Sequence, residues 1–296
     1  MKSFLSLLCG IVALPSFAAD PDFDSYWHDG KAELDCYKFT ISRYGQECKG
    51  QGVLVYVTEP FSESKRVKAD DPNKNPSGTF DAFKVNAVRD FQTGIYDYNT
   101  MVSTFVRSKD LTPVKVSFSS AEWCGHVYEE LLFYPAKITG QYISYFEGES
   151  GPRNLSNDPK GILEDTLLIQ LRSLRGEFLK AGEKKSFPFL PGVYYSRLAH
   201  KSLAWSTAEI ERSAETQTIE VPAGKFVATV YTVKITDGRT GKFFVEQDWP
   251  HRIVRWSLLP DVSAEMTGSA RLDYWRLHNN GDDSYLKSLG IKPTVE

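Results

Sequence analysis

Short runs of aromatic and β-branched residues, broken at close intervals by turn residues, occupy most of this chain. A chain written this way buries its apolar groups by building sheets. The clearest run lies at residues 46–61, where Val53, Val55 and Val57 alternate with Leu54, Tyr56 and Thr58. A strand apolar on both sides is expected to be covered on both faces. Similar runs lie at residues 32–42, 82–92, 96–107, 114–120, 123–134 and 136–146, and again between 187 and 275. Asp237 and Gly238 sit between two such runs and predict a hairpin. Residues 62–80 are polar and carry Pro72 and Pro76, so they read as a loop. About a dozen antiparallel strands in one domain are expected to curl rather than lie flat.

The pattern changes once. Leu163, Leu167, Leu171 and Leu174 recur at helical spacing, after Asp158 and Pro159 and before Gly176. Asp158 suits a cap, Pro159 the first helical position and Gly176 a left-handed end. A short helix is also expected at residues 284–289. The expected fold class is mainly β: one large antiparallel curved sheet, part-barrel or barrel, with one amphipathic helix near 160–175.

The N-terminus carries an address. Lys2 precedes an apolar run at residues 4–14, Pro15 breaks it, and Ser16, Phe17 and Ala18 form a signal-peptidase site. The run is too short to span a bilayer, which takes roughly 20 apolar residues. Cys9 follows Leu8 and lies too early for lipidation. The expected organisation is therefore a signal peptide at 1–18 and a single β-rich domain at 19–296, exported to the periplasm or cell envelope. The formal net charge of the 296-residue chain is −3, and removal of residues 1–18 takes one Lys and no acid, giving −4. That mild charge does not fit nucleic acid as partner. No second apolar run reaches membrane-spanning length, so the chain is not expected to be integral to a membrane. Cys36, Cys48 and Cys124 remain after cleavage, an odd number for an exported protein. Cys36 and Cys48 flank a hairpin near Gly45 and could pair across it or stay as thiols.

The best candidate site is Glu122, Trp123, Cys124, Gly125 and His126. On a continuous strand, Glu122, Cys124, His126 and Tyr128 share one face. Such a row can line a ligand pocket. Cys124 and His126 could also act as a nucleophile pair or as two metal ligands. No oxyanion hole and no further metal ligands are visible near them. A polar row satisfied by hydrogen bonds is the common structural fate of such a pattern. Asp90, Asp97 and Tyr98 form a second cluster, in which two carboxylates could do acid–base work, but Gly94 makes a turn the simpler reading. The remaining histidines are scattered, and the tryptophans fit β-core anchors. No G-x-S-x-G, H-E-x-x-H, P-loop or dinucleotide fingerprint is present.

The C-terminal third carries Ile219, Glu220, Val221, Pro222, Ala223, Gly224, Lys225 and Phe226. Phe243 to Asp248 and then Pro250, His251, Arg252, Ile253, Val254 and Arg255 follow. This pattern resembles an exported bacterial domain-of-unknown-function family with a VPAGxF strand and a P-x-R-I-V element. The resemblance is good over residues 215–277 and loose over the N-terminal half. It implies a curved antiparallel sheet similar to lipoprotein carriers, with no established reaction or catalytic residues.

The functional expectation is an exported, non-enzymatic envelope protein. It would bind an apolar or amphipathic ligand, such as a lipid, or an envelope protein, in the concavity of a curved sheet. Glu122, Cys124, His126 and Tyr128 would serve as ligand-binding residues, with no cofactor and no metal. The alternatives are an enzyme using Cys124 and His126, and an assembly factor acting through a sheet edge.

Overall fold

The computed structural model describes residues 22–293. The expected signal peptide and its cleavage site lie outside the described residues. The strands are β1 (Ala32–Arg43), β2 (Gln46–Ser62), β3 (Thr79–Thr93), β4 (Tyr96–Arg107), β5 (Pro113–Glu122), β6 (Gly125–Phe133), β7 (Lys137–Ser144) and β8 (Gly151–Ser156). They continue with β9 (Ile162–Leu163), β10 (Lys184–Leu190), β11 (Ser206–Arg212), β12 (Gln217–Val221), β13 (Gly224–Ile235), β14 (Thr240–Glu246), β15 (Ile253–Leu259) and β16 (Val262–Leu272). The helices are α1 (Phe23–Trp27), α2 (Leu167–Gln170), α3 (Val193–Ala199) and α4 (Ser284–Ser288).

All strands join one sheet in the order β8-β7-β6-β5-β4-β3-β2-β1-β16-β15-β14-β13-β11-β10-β9, with β12 added on β13. Every pairing is antiparallel except β9 with β10, so the sheet is mixed. Its ends, β8 and β9, do not pair, and the sheet stays open. It is nonetheless strongly curled. Arg89 on β3 and Trp256 on β15 lie four strands apart, about 19 Å in a flat sheet. The Arg89 guanidinium is 5.8 Å from the Trp256 ring. Bulges at Cys36/Tyr37 and Phe244/Val245 assist the bend.

The rolled sheet winds around the segment 162–174. Tyr56 of β2 donates to the Leu168 carbonyl (2.9 Å), and Thr104 of β4 donates to that of Asp165 (3.0 Å). From the other side, Arg239, in the β13–β14 turn, forms a double contact with Glu164 at 3.1 and 2.8 Å. The interior is filled. Tyr37, Tyr56, Phe83, Phe118, Leu167 and Trp256 belong to one continuous core, and Trp27 of α1 packs on Phe83.

The expected helix at 160–175 is cut short. A two-residue strand is followed by a 3-10 turn at Glu164–Thr166, then by the single turn of α2. The leucines have helical spacing, but the residues between them are buried as well: Leu168, Ile169 and Arg172. The segment is therefore core on all sides rather than amphipathic. Its shape is set by tethers to the surrounding sheet, and tertiary contact overrides propensity. Asp158 forms a local turn instead of a cap, accepting from the Lys160 amide at 2.9 Å.

Cys36 and Cys48 are not a disulfide pair. Cys36 faces Val53 and Cys48 faces Ile41 in the β1–β2 ladder. Five residues along a strand separate them by about 17 Å, far beyond disulfide reach. The hairpin itself forms as expected, with Tyr44 (φ 53°) and Gly45 (φ 73°) in the turn.

Candidate functional site

The row expected from Glu122 to Tyr128 is split. Trp123 and Cys124 form a two-residue turn between β5 and β6, with Glu122 paired to Gly125. Gly125 has φ 154°, and a Cβ there would meet the Tyr145 ring at 2.7 Å. The turn folds the chain back on itself, so alternation does not continue through it. Glu122 points inward and is buried in an ion pair with Arg197 of α3. His126 and Tyr128 point outward and are exposed, while Val127, Glu129 and Leu131 between and beyond them are buried. Cys124 is exposed at the tip. No hydrogen bond joins Cys124 to His126 among the described residues. The Tyr128 hydroxyl donates to Glu130 at 3.2 Å.

The second sequence cluster meets the first at this rim. Gly94 and Ile95 make the β3–β4 turn, and the Trp123 indole donates to Asp97 at 2.9 Å. Asp90 accepts from Asn99 across the hairpin, and burial raises its carboxyl above the ordinary range. Tyr98 hydrogen-bonds Tyr44 at 2.8 Å. These contacts fasten hairpin tips together. Among the described residues, no group of three or more His, Cys, Asp or Glu could hold a metal ion.

The concavity opens at the other end. A pocket of about 600 Å³ lies between the loop at residues 171–177, the interior side of β13 and β14, and the loop before β15. Leu171, Leu174, Tyr231, Val245 and Trp249 supply apolar and aromatic wall. The volume is within the range of small-molecule sites, roughly 300–1,000 Å³. Register explains the wall: Thr229 faces Val245 and Tyr231 faces Phe243, so one face of the β13–β14 pair looks inward.

Polar groups are set around this wall. Ser173 Oγ and the Tyr231 hydroxyl are 3.4 Å apart, and burial raises Tyr231 above its ordinary value. Arg212 reaches Glu177 at 2.8 Å. Arg252 makes a fork to Glu246 at 2.6 and 2.8 Å. Behind the pocket, Arg172 lies against Glu33 (2.8 Å) and donates to the Pro250 carbonyl (2.8 Å). The Trp249 indole N–H is buried with no protein acceptor. Ser173 (φ 54°) and His251 (φ 60°) both line the pocket in left-handed backbone, which costs energy in non-glycine residues.

These residues escaped the sequence reading. Leu171 and Leu174 were legible as core, but Tyr231 and Trp249 are ordinary strand and loop aromatics until the sheet curls. The available signal was the Trp249-Pro250-His251 run next to a strand end.

No family model matches the chain, and no curated protein matches it. Among solved structures, it is similar to a crystal structure from Brucella abortus described as a beta-barrel-like protein of domain of unknown function DUF1849. The identity is 9%, the match covers 82% of this chain and 98% of that one, and the TM-score is 0.48. Among the described residues, no helix is long and apolar enough to cross a membrane.

Proposed function

We propose that this is an exported, non-enzymatic envelope protein that binds an amphipathic ligand at the open end of its curled sheet. The observation that carries the reading is the pocket of about 600 Å³, a largely polar mouth that holds an apolar patch of Leu171, Leu174, Val245 and Trp249. An apolar segment fits against Leu171, Leu174, Val245 and Trp249. A polar end fits beside Arg212, Glu177 and the Ser173–Tyr231 pair. Strained backbone at Ser173 and His251 supports a site rather than a chance gap.

The filled core limits how the ligand sits. It lodges in the mouth and does not thread the curled sheet. The split of Cys124 from His126 gives the enzyme reading no support. The sheet-edge reading is weaker too, because edge strand β8 carries Pro152 and Arg153, residue types that discourage edge pairing.

The test is native mass spectrometry of protein purified from the periplasm, followed by titration with a dansyl-labelled fatty acid. A bound amphiphile that exchanges with the probe is expected, with affinity falling at least tenfold in Trp249→Ala. Absence of any bound amphiphile, together with probe binding unchanged in Trp249→Ala, would refute the reading.

A further inference from the structure

The hairpins β1–β2, β3–β4, β5–β6 and β7–β8 follow one another along the sheet, and all turn at the same end of it. With neighbouring strands about 4.8 Å apart, the first and last tips lie roughly 30 Å apart along the sheet. Tight turns favour Gly, Asn and Asp. Here each tip also presents a large apolar side chain: Tyr44 beside Gly45, Ile95 beside Gly94, Trp123 beside Cys124, and Tyr145 just after β7. These four are 61%, 82%, 68% and 41% exposed. Turn formation requires none of them. Tyr44 even holds left-handed backbone (φ 53°), which suits asparagine better than an aromatic residue.

The tips are tied into one row. The Trp123 indole is held by Asp97, and the Tyr44 hydroxyl bonds Tyr98 and accepts from Tyr96 at 3.1 Å. The Tyr96 ring lies 6.3 Å from that of Trp123. The missing side chain of Gly125 leaves the space that the Tyr145 ring occupies. Polar ends of the rings are thus held by the protein, while their outer surface stays apolar. A row ordered in advance loses little freedom on contact with a partner.

Charge at the tips is muted. Glu122 is paired with Arg197, Glu149 with His200 at 2.6 Å, and Asp97 is engaged by Trp123. Arg43 stacks on Tyr44 at 4.3 Å, and Glu147 is exposed on the fourth tip. One cation and one carboxylate suit a surface that carries both signs of charge better than a strongly anionic one.

Area and shape weigh against a protein partner. A large aromatic side chain covers about 150–250 Å², so the exposed fractions of the four amount to roughly 500 Å². An apolar patch of that size on a monomer is often functional. A stable protein interface takes about 800 Å² from each partner, on a continuous and complementary face. Separate hairpin tips offer no such face. A lipid headgroup layer asks for no complementary shape, and Trp and Tyr are the side chains enriched at its depth.

We propose that Tyr44, Ile95, Trp123 and Tyr145 form a peripheral lipid-contact edge that dips into the headgroup layer of a zwitterionic bilayer. The ligand pocket shares none of these residues, so the contact stands independently of that site.

Cys124 lies in the row and is the exposed thiol, so it carries the probe. The full-length folded protein, labelled there with an NBD fluorophore, is mixed with phosphatidylcholine vesicles. The label is expected to brighten and shift to the blue, and the protein to float with the vesicles in high salt as in low. Ile95→Ser combined with Trp123→Ser is expected to lower the vesicle partition coefficient at least tenfold, since these two supply roughly half of the row's area. Both positions are exposed, so the fold tolerates the change. Trp275→Ser, at an exposed tryptophan elsewhere, leaves partitioning unchanged. No flotation of the wild type, equal flotation of the double variant, or flotation with a silent Cys124 label would overturn the proposal. So would binding confined to phosphatidylglycerol vesicles and lost in salt, which marks a basic patch instead. A wild-type dimer in ultracentrifugation that the double variant abolishes would overturn it as well, because the row would then serve a second copy of the chain.

Discussion

The buried charges behind the pocket predict an unequal response to removing either side of one ion pair. Arg172 and Glu33 are 0% and 1% exposed, and their nearest charged atoms are 2.8 Å apart. Arg172 also packs over the Tyr56 ring at 4.4 Å, and Glu33 accepts from the Tyr26 hydroxyl at 2.8 Å. Burial alone would lower Arg172, but Glu33, Tyr56 and Asp35 raise it further than burial lowers it. At an effective dielectric of about 20 and a charge separation of about 4 Å, the attraction is roughly 4 kcal/mol. Arg172→Met leaves Glu33 charged and alone in the core, and is expected to cost about 3–5 kcal/mol. Glu33→Gln differs, because Asp35 lies two residues along the same inward row. Its carboxyl is fully buried, and burial and then Glu33 raise it well above the usual carboxylate range. Once Glu33 is neutral, Asp35 can ionise and serve as counter-charge. Glu33→Gln alone should therefore cost about 1–2 kcal/mol, near the cost of one imperfect buried polar contact. Glu33→Gln combined with Asp35→Asn should match Arg172→Met. Equilibrium unfolding in urea at pH 7, with the slope m checked for constancy, measures all four proteins. If Glu33→Gln alone is as damaging as the double variant, Asp35 is no reserve charge and the reasoning fails.

Burial and then Glu164 push the Asp165 carboxyl up to about 7. A carboxyl raised in the folded state favours folding fully below its unfolded value, and that contribution is lost as pH rises through about 7. Asp165→Asn should therefore gain on the wild type between pH 5 and pH 8, by roughly 3 kcal/mol at most; parallel pH–stability curves would count against it. Burial and Asp35 push the Cys36 thiol up to about 12, and Cys48 is buried too, whereas Cys124 is exposed. Iodoacetamide should label Cys124 in the folded protein and reach Cys36 and Cys48 only in denaturant, as read by peptide mass spectrometry. Trp27 is 1% exposed at the centre of an aromatic cluster, so Trp27→Ala should cost about 3–5 kcal/mol, whereas Trp123, 68% exposed, should cost little in urea unfolding.

The strand content was readable because alternation is local. Val53, Val55 and Val57 against Leu54, Tyr56 and Thr58 predict β2 without knowledge of its neighbours. Tyr44–Gly45 and Asp237–Gly238 likewise carry their turns in themselves. The Glu122–Tyr128 row misled for a definite reason: a two-residue turn at Trp123 and Cys124 interrupts the alternation, and neither residue is a usual turn former. The α3 segment was missed because Val193, Tyr194 and Tyr195 read as strand. Arg89 was legible in part, since its position on β3 falls in register with Val85, Ala87 and Phe91. Recognising that a charged residue sat on an apolar row would have pointed inward. What surrounds it there depends on α3, β14 and β15, which only the curl brings near.

That curl also decides where a ligand can bind. A curled sheet of this many strands has room inside for a chain, yet here the space holds segment 162–174 and the side chains of α1 and α3. The ion pairs Glu33–Arg172, Glu122–Arg197 and Glu164–Arg239 each join such a filling element to the wall or to a wall turn. Expelling the filling would separate buried charges, at several kcal/mol for each pair broken. The gain from burying an acyl chain is about 0.8 kcal/mol per CH₂, and much of it would only replace apolar contacts that the filling already makes. Deep insertion is therefore opposed, while the mouth beside Trp249 can be occupied without breaking any of these pairs. A ligand held there contacts β13, β14 and the 171–177 loop and leaves the packing of Trp27 on Phe83 intact.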